Sequence, residues 1–396
     1  MPSLRKHHSP SIFSVFLITM TLMVGMVGCG SGQYSLTIYS TEGGWAWQPS
    51  GEISDLDYGA VVSIEAWAYI CHEFVNWTGD VGTIADVEDG STTITMHGSY
   101  VITANFVPKA VESMEIWDWY DLDAIRDNLC WNYTLMSDLD STTPGYEELA
   151  GPIANGGSGW EPIGFSDTEF KYPFKGILNG QGYELHGMFI QREAADSIEL
   201  GLFGLSYGVI ENIGVVDATV IGNDALCVGV LVGMNEGTVS NSYSTGNVST
   251  DADYGGVGGL VGVNSEGTIM DSYSTACVIS STCTGGLVGV NDHGTINNCY
   301  STGNVSGEDY VNQDYVGGLL GANNEGTVSN SFWDTETNGQ ATSAGGIGKT
   351  TAEMQNIATF SGAGWDITEV SLNETNPTYV WNIVDGLTYP FLSWQS

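Results

Sequence analysis

Two acidic runs and three tyrosines are the residues of this chain best placed to do chemistry. Residues 250–254 set Asp251 and Asp253 two positions apart, and residues 307–314 carry Glu308, Asp309 and Asp314. Carboxylates grouped on a loop are hard oxygen donors, which suits Ca²⁺. The spacing follows neither the twelve-residue EF-hand loop nor a nonapeptide calcium repeat, so a solvated acidic surface is the competing reading. Tyr254, Tyr310 and Tyr315 lie in or beside the same runs, where exposed rings would stack on sugars. Glycoside hydrolysis needs two carboxylates at a set separation, one with a raised pKa. Carboxylates are so abundant here that pairs such as Asp251 and Asp253 single out no acid or base. No catalytic residue is assigned.

Two near-motifs fall short of their chemistry. Residues 345–351, GGIGKTT, resemble the phosphate loop of deviant-type nucleotide-binding ATPases. That loop needs an apolar strand feeding it and a later Mg²⁺-binding Asp. Residues 335–344 are polar and turn-rich, and too few residues follow for such a domain, so no nucleotide is expected. His72 and Glu73 open HEFVN, which nearly spells a zinc metallopeptidase helix, but Asn76 stands where the second ligand belongs. The stretch is patterned as a strand, which sends His72 and Glu73 to opposite faces.

Charge excludes whole classes of partner. The chain has 396 residues, with 8 Lys plus Arg against 47 Asp plus Glu, a formal net charge of −39. Nucleic acids and anionic lipid surfaces both require a basic footprint, so neither is expected to bind. Between Arg192 and Lys349 lie 156 residues with no Lys or Arg and 18 Asp or Glu. Such a surface repels polyuronates, which argues against lyase chemistry. Hydrophobic residues reach 42%, with 54 Gly and 10 Pro, so the chain reads as folded and turn-rich rather than disordered.

The N-terminus reads as an export signal over residues 1–28. Arg5 and Lys6 precede an apolar run from Ile12 to Val27, too short for a comfortable membrane span. Met26-Val27-Gly28-Cys29 resembles a bacterial lipobox, which implies cleavage before Cys29 and its lipidation; plain secretion is the alternative. Six cysteines then remain, at 71, 130, 227, 277, 283 and 299. They allow fifteen disulfide connectivities that spacing cannot choose between, and isolated thiols are equally compatible.

Residues 34–107 alternate as strands, with Gly-rich turns. The run Phe74-Val-Asn-Trp-Thr-Gly-Asp-Val81 and the ending Tyr100-Val-Ile-Thr-Ala-Asn-Phe106 resemble the divergent InlB-type B-repeat of bacterial surface proteins. The resemblance implies a spacer or adhesion module. A linker is read at 108–115.

Beyond it the chain repeats itself. Gly258-Gly-Leu-Val-Gly-Val-Asn264, Gly267-Thr-Ile269 and Ser272-Tyr-Ser-Thr275 recur with their leucines at 202, 231, 260, 287 and 319, in steps of 29, 29, 27 and 32 residues. The pieces are short, rich in Val, Ile, Thr and Tyr, and broken by Gly and Asn, which suits a coil of strands. One coil cannot bury its apolar side chains alone, whereas stacked coils share a core, with Leu and Val laddered inward and Thr, Ser and Asn stacked at equivalent positions. Length varies at 249–256 and 306–315, so loops are expected there along one side. The phrase resembles the GLUG repeat of surface proteins, which implies a right-handed parallel β-helix or solenoid on the cell surface.

The expected fold is therefore all-β, a small β-rich repeat domain followed by that solenoid with short capping helices. An N-terminal cap and lead-in region covers 116–173, coils cover 174–337, and a C-terminal cap covers 338–396. Residues 120–129 form a short helix at one end, while Thr350 and Glu353 make a capping box at the other, where the aromatic tail from Trp381 to Trp394 also packs. The expected role is adhesion or recognition of a surface glycan or protein, with the membrane reached through lipid on Cys29. A structural surface-layer or matrix element is the alternative, and a carbohydrate-active enzyme the second alternative.

Overall fold

The computed structural model describes residues 34–395 apart from 48–52, 167–170, 194–198 and 308–314. About 49% of it is strand and 8% helix, so the all-β expectation holds. Two compact units divide at Ala110 and Val111.

In the first unit, alternation sends every second side chain inward. Leu36 and Ile38 of Tyr34–Ser40 are buried, as are Ile102, Ala104 and Phe106 of Tyr100–Pro108. These two strands pair in parallel at the centre of a four-stranded sheet, flanked by Ile53–Leu56 and His72–Gly79. A three-stranded antiparallel sheet of Gly44–Trp47, Val61–Ala68 and Ser91–Thr95 adds Ile64 and Ile94 to the same core. Trp77, also buried, directs its indole N–H to the Asp89 carbonyl at 3.0 Å. His72 and Glu73 sit on a strand, as their pattern requires.

The second unit is a β-solenoid of about five turns. Each coil contributes one strand to each of three sheets and one or two to a fourth, and the array strands pair in parallel. The coil through Leu260, for example, runs Gly256–Gly258, Val261–Ser265, Thr268–Met270, Tyr273–Ser274 and Cys277–Ser280, the last two in one sheet. Leu202, Leu231, Leu260, Leu287 and Leu319 are fully buried, and the amides of Leu231, Leu260 and Leu287 each donate to the leucine carbonyl one coil on, at 3.0 Å. Glycine is required where coils close tightly: a Cβ on Gly285 would collide with the Val288 carbonyl oxygen.

Polar side chains ladder inside the coil as well. Asn235, Asn264 and Asn291 are fully buried, and each Nδ2 donates to Oδ1 of the next asparagine, ending at Asn323, over 2.8, 2.8 and 3.0 Å. The same amides reach the carbonyls of Gly237, Gly267 and Gly294, so the buried amide N–H groups find partners. The serine hydroxyls of Ser242, Ser272 and Ser331 each donate to the carbonyl two residues back. Cys299 fills the fourth such position and does the same through its thiol, toward Asn297 at 3.2 Å. The four cysteines of the array, Cys227, Cys277, Cys283 and Cys299, are free.

Both ends differ from the expected boundaries. Ser113–Ile116 already pairs in parallel with Asn132–Leu135, so the array sheet begins inside the stretch read as linker. Trp119–Asp123 is helical, capped by Asp118, and a 3₁₀ turn, Ala124–Asp127, follows; Leu122 and Ile125 are buried on one face. At the far end only part of 338–396 acts as a cap. Ile347–Lys349 adds a strand beside Phe332–Asp334, and Gly345 and Gly346 close over Leu320 and Leu319. Thr350 and Glu353 form the expected capping box. The rest turns back along the flank, because the array presents an aromatic row there that water would otherwise meet.

Candidate functional site

That row consists of Tyr243, Tyr273, Tyr300 and Phe332, at the same register of neighbouring coils. The coil rise sets ring spacing: Tyr243–Tyr273 and Tyr273–Tyr300 centroids are 4.8 Å apart, tilted by 7° and 2°. The C-terminal segment crosses the coils in reverse order. Trp365 donates its indole N–H to the Asn330 carbonyl at 2.7 Å, and Trp381 donates to Asp271 Oδ1 at 3.2 Å. Gln395 Nε2 reaches the Tyr273 hydroxyl at 2.8 Å, and Trp394 packs on Tyr243. Tyr300 donates to the Pro390 carbonyl at 2.6 Å, and burial lifts its pKa well above the phenol range. Burial, reinforced by Asp334, pushes Tyr389 up to about 12.

Where this segment passes the coil turns, it leaves a cavity of about 210 Å³. Asn212, Asn241, Asp366, Thr378, Tyr379 and Trp394 are among its walls. Asn212 and Asn241 have positive φ, 55° and 47°, as do Asp271, Asn298 and Asn330 at the matching turns. Short amide and acid side chains tolerate that left-handed geometry. Asn212 donates to Asn179 Oδ1 at 3.2 Å, while Asp366 Oδ2 accepts the Val380 amide at 3.2 Å. Trp394 Nε1 is closed off from solvent without a hydrogen-bond partner. Aromatic walls with amide, hydroxyl and carboxylate groups between them can hold a sugar ring by its faces and its hydroxyls.

A second surface is the loop edge. Strands of the ten-stranded sheet end at Asn223, Thr250, Ser280 and Ser306, and those of the next sheet begin at Cys227, Gly256, Cys283 and Val316. The strand ends that flank the variable segments therefore share one side. Short polar side chains brace them: Thr250 donates to the Ala225 carbonyl at 3.1 Å and Thr282 to the Gly255 carbonyl at 3.0 Å. Asp251 Oδ1 accepts the Asp224 amide at 2.8 Å, whereas Asp253 is exposed. Tyr254 is 78% exposed and Tyr315 46%. Glu308, Asp309, Tyr310 and Asp314, like Cys29, lie outside the described residues. Among the described residues, no three His, Cys, Asp or Glu side chains converge as metal ligands.

Counting charges along the chain also missed a cation that folds back onto the array. Lys171 Nζ meets the Tyr207 hydroxyl and Glu236 Oε1, both at 3.0 Å. Burial pulls its pKa down, but those two partners outweigh burial and hold it at about 12. Nearby Glu199 is buried, accepts from Ser166, and has its pKa raised by desolvation.

Residues 34–110 match the divergent InlB B-repeat domain, and residues 280–306 match the GLUG motif. The first unit thus matches a B-repeat, and one stretch of the solenoid matches the GLUG motif. Halomucin of Haloquadratum walsbyi is 38% identical over 122 residues, covering 31% of this chain and 1% of that protein. A Gly-rich membrane protein of Evansella cellulosilytica is 36% identical over 126 residues, covering 30% and 13%. The chain thus spans only a small part of these curated relatives. A solved IgA1 protease aligns with 84% of this chain and 26% of its own at 16% identity, with a TM-score of 0.38, too low to bear on activity.

Proposed function

We propose that this is an extracellular recognition protein whose solenoid binds a glycan. The cavity at Asn212, Asn241, Asp366, Thr378, Tyr379 and Trp394 carries this reading, since it gathers ring faces and hydrogen-bonding groups around one space. The braced loop edge, with Tyr254 and Tyr315 exposed, supplies a further contact surface, and Ca²⁺ held by Asp251 and Asp253, or by Glu308, Asp309 and Asp314, would strengthen it. The similarity to halomucin and to a Gly-rich membrane protein supports a surface setting. Retention at the membrane would come from lipid on Cys29.

The test is titration of oligosaccharides, with and without Ca²⁺, against the wild-type chain and N241G. Glycine keeps the left-handed turn while removing the amide. Weaker binding by N241G with unchanged melting supports the cavity. Equal binding would move recognition to the loop edge, and no binding would favour a structural matrix role.

A further inference from the structure

The first unit carries a surface that neither family match assigns. Trp45 and Trp67 lie directly opposite each other on neighbouring antiparallel strands, their rings 6.3 Å apart and tilted by only 14°. Ile64 and Ile94 are fully buried, so alternation turns the intervening residues the other way. Ser63, Glu65 and Trp67 of one strand, with Thr93 and Thr95 of the next, therefore share the outer face with Trp45. Trp67 is 52% exposed.

We infer that this face binds a neutral polysaccharide. Leaving an indole in water forgoes the burial that a tryptophan ordinarily gains, and a flat aromatic patch rimmed by polar groups marks an interaction surface. The C–H bonds on one face of a pyranose carry partial positive charge and meet the negative face of an indole ring. The hydroxyls of Ser63, Thr93 and Thr95 would donate to and accept from the sugar hydroxyls beside it, and the Glu65 carboxylate would accept from them. Charge narrows the partner further. Residues 34–110 hold ten Asp or Glu and one lysine, Lys109, yet among the described residues the outward positions of these three strands carry a single carboxylate, Glu65. Such a module repels polyanions, anionic lipid and a second copy of itself, while an uncharged chain meets no such barrier. The site is separate from the solenoid cavity and does not depend on it.

The experiment is affinity electrophoresis of residues 30–396 in gels containing hydroxyethyl cellulose, a neutral β-glucan, or polygalacturonate. The wild type should be retarded by the neutral polymer alone. W67A should bind about tenfold more weakly, the equivalent of about 1.4 kcal/mol, and W67F should keep most of the affinity. Melting temperatures near wild type would show that these exposed substitutions leave the fold intact, and N241G should retain the W67-dependent part. The inference is overturned if W67A and W45A are retarded like wild type, or if neutral polymers do not retard the wild type. It is also overturned if sedimentation shows that W67A dissolves a dimer.

Discussion

The indole N–H of Trp381 lies 3.2 Å from Asp271 Oδ1, across 110 positions of sequence. Asp271 is a turn residue at φ 47° and also accepts from Asn298 Nδ2 at 3.2 Å. One carboxylate thus ties the returning segment to two coils of the array.

Burial raises the pKa of Asp271 more than these two donors lower it. Its folded value therefore exceeds its unfolded one. Between the two values the native state binds more protons, so its contribution is fully present below the unfolded pKa and lost as pH rises through the folded pKa. D271N keeps an oxygen for both donors without the charge. Relative to wild type, its melting temperature should rise between pH 4 and pH 7, ending level or higher at neutrality. A difference that does not change with pH would contradict this assignment.

Tyr300 tests the covered aromatic row. Y300F leaves the Pro390 carbonyl without its 2.6 Å donor and should cost about 1–2 kcal/mol. Y300A also opens a void between Tyr273 and Trp381 and should cost about 3–5 kcal/mol. Denaturant melts of the two variants would show the order. Equal effects would mean that the row contributes no packing.

How much of this was legible in the sequence differs between the two halves of the story. Leucines at 202, 231, 260, 287 and 319 repeat at nearly even steps, so the coil, its core and its loop side follow from periodicity. Tyr273 repeats too, but nothing periodic links it to Trp381 or Gln395. The tail is unique sequence, and its apolar residues announce burial without naming a partner. The cavity inherits that difficulty, because Asn241 comes from the repeat and Thr378 from the tail. In the first unit, alternation shows that Trp45 and Trp67 occupy strands, but only the register places them side by side.

The asparagine ladder should be sensitive in its middle. N291A removes the donor to Gly294 and Asn323 and the acceptor for Asn264. Buried groups left unpaired make a loss of about 3 kcal/mol the expected result. Calorimetry of N291A beside the exposed-end variant N323A would check it, the second costing less.

Cys299 stands in a serine ladder, where its thiol, its pKa raised by burial, donates to the Asn297 carbonyl. C299S should melt within about 1 kcal/mol of wild type, since a hydroxyl makes the same bond. C299V fills the space without a donor and should be less stable than C299S. Equal stability would show that the hydrogen bond contributes nothing.

The central claim is recognition of a glycan without its cleavage. It is tested most directly by affinity electrophoresis of residues 30–396 against a polysaccharide panel, with N241G and T378A beside the wild type and the polymer lengths measured afterwards. The expected result is retardation of the wild type by at least one polymer, weaker retardation of both variants, and polymer of unchanged length. Shortened polymer, or no retardation by any of them, would contradict it.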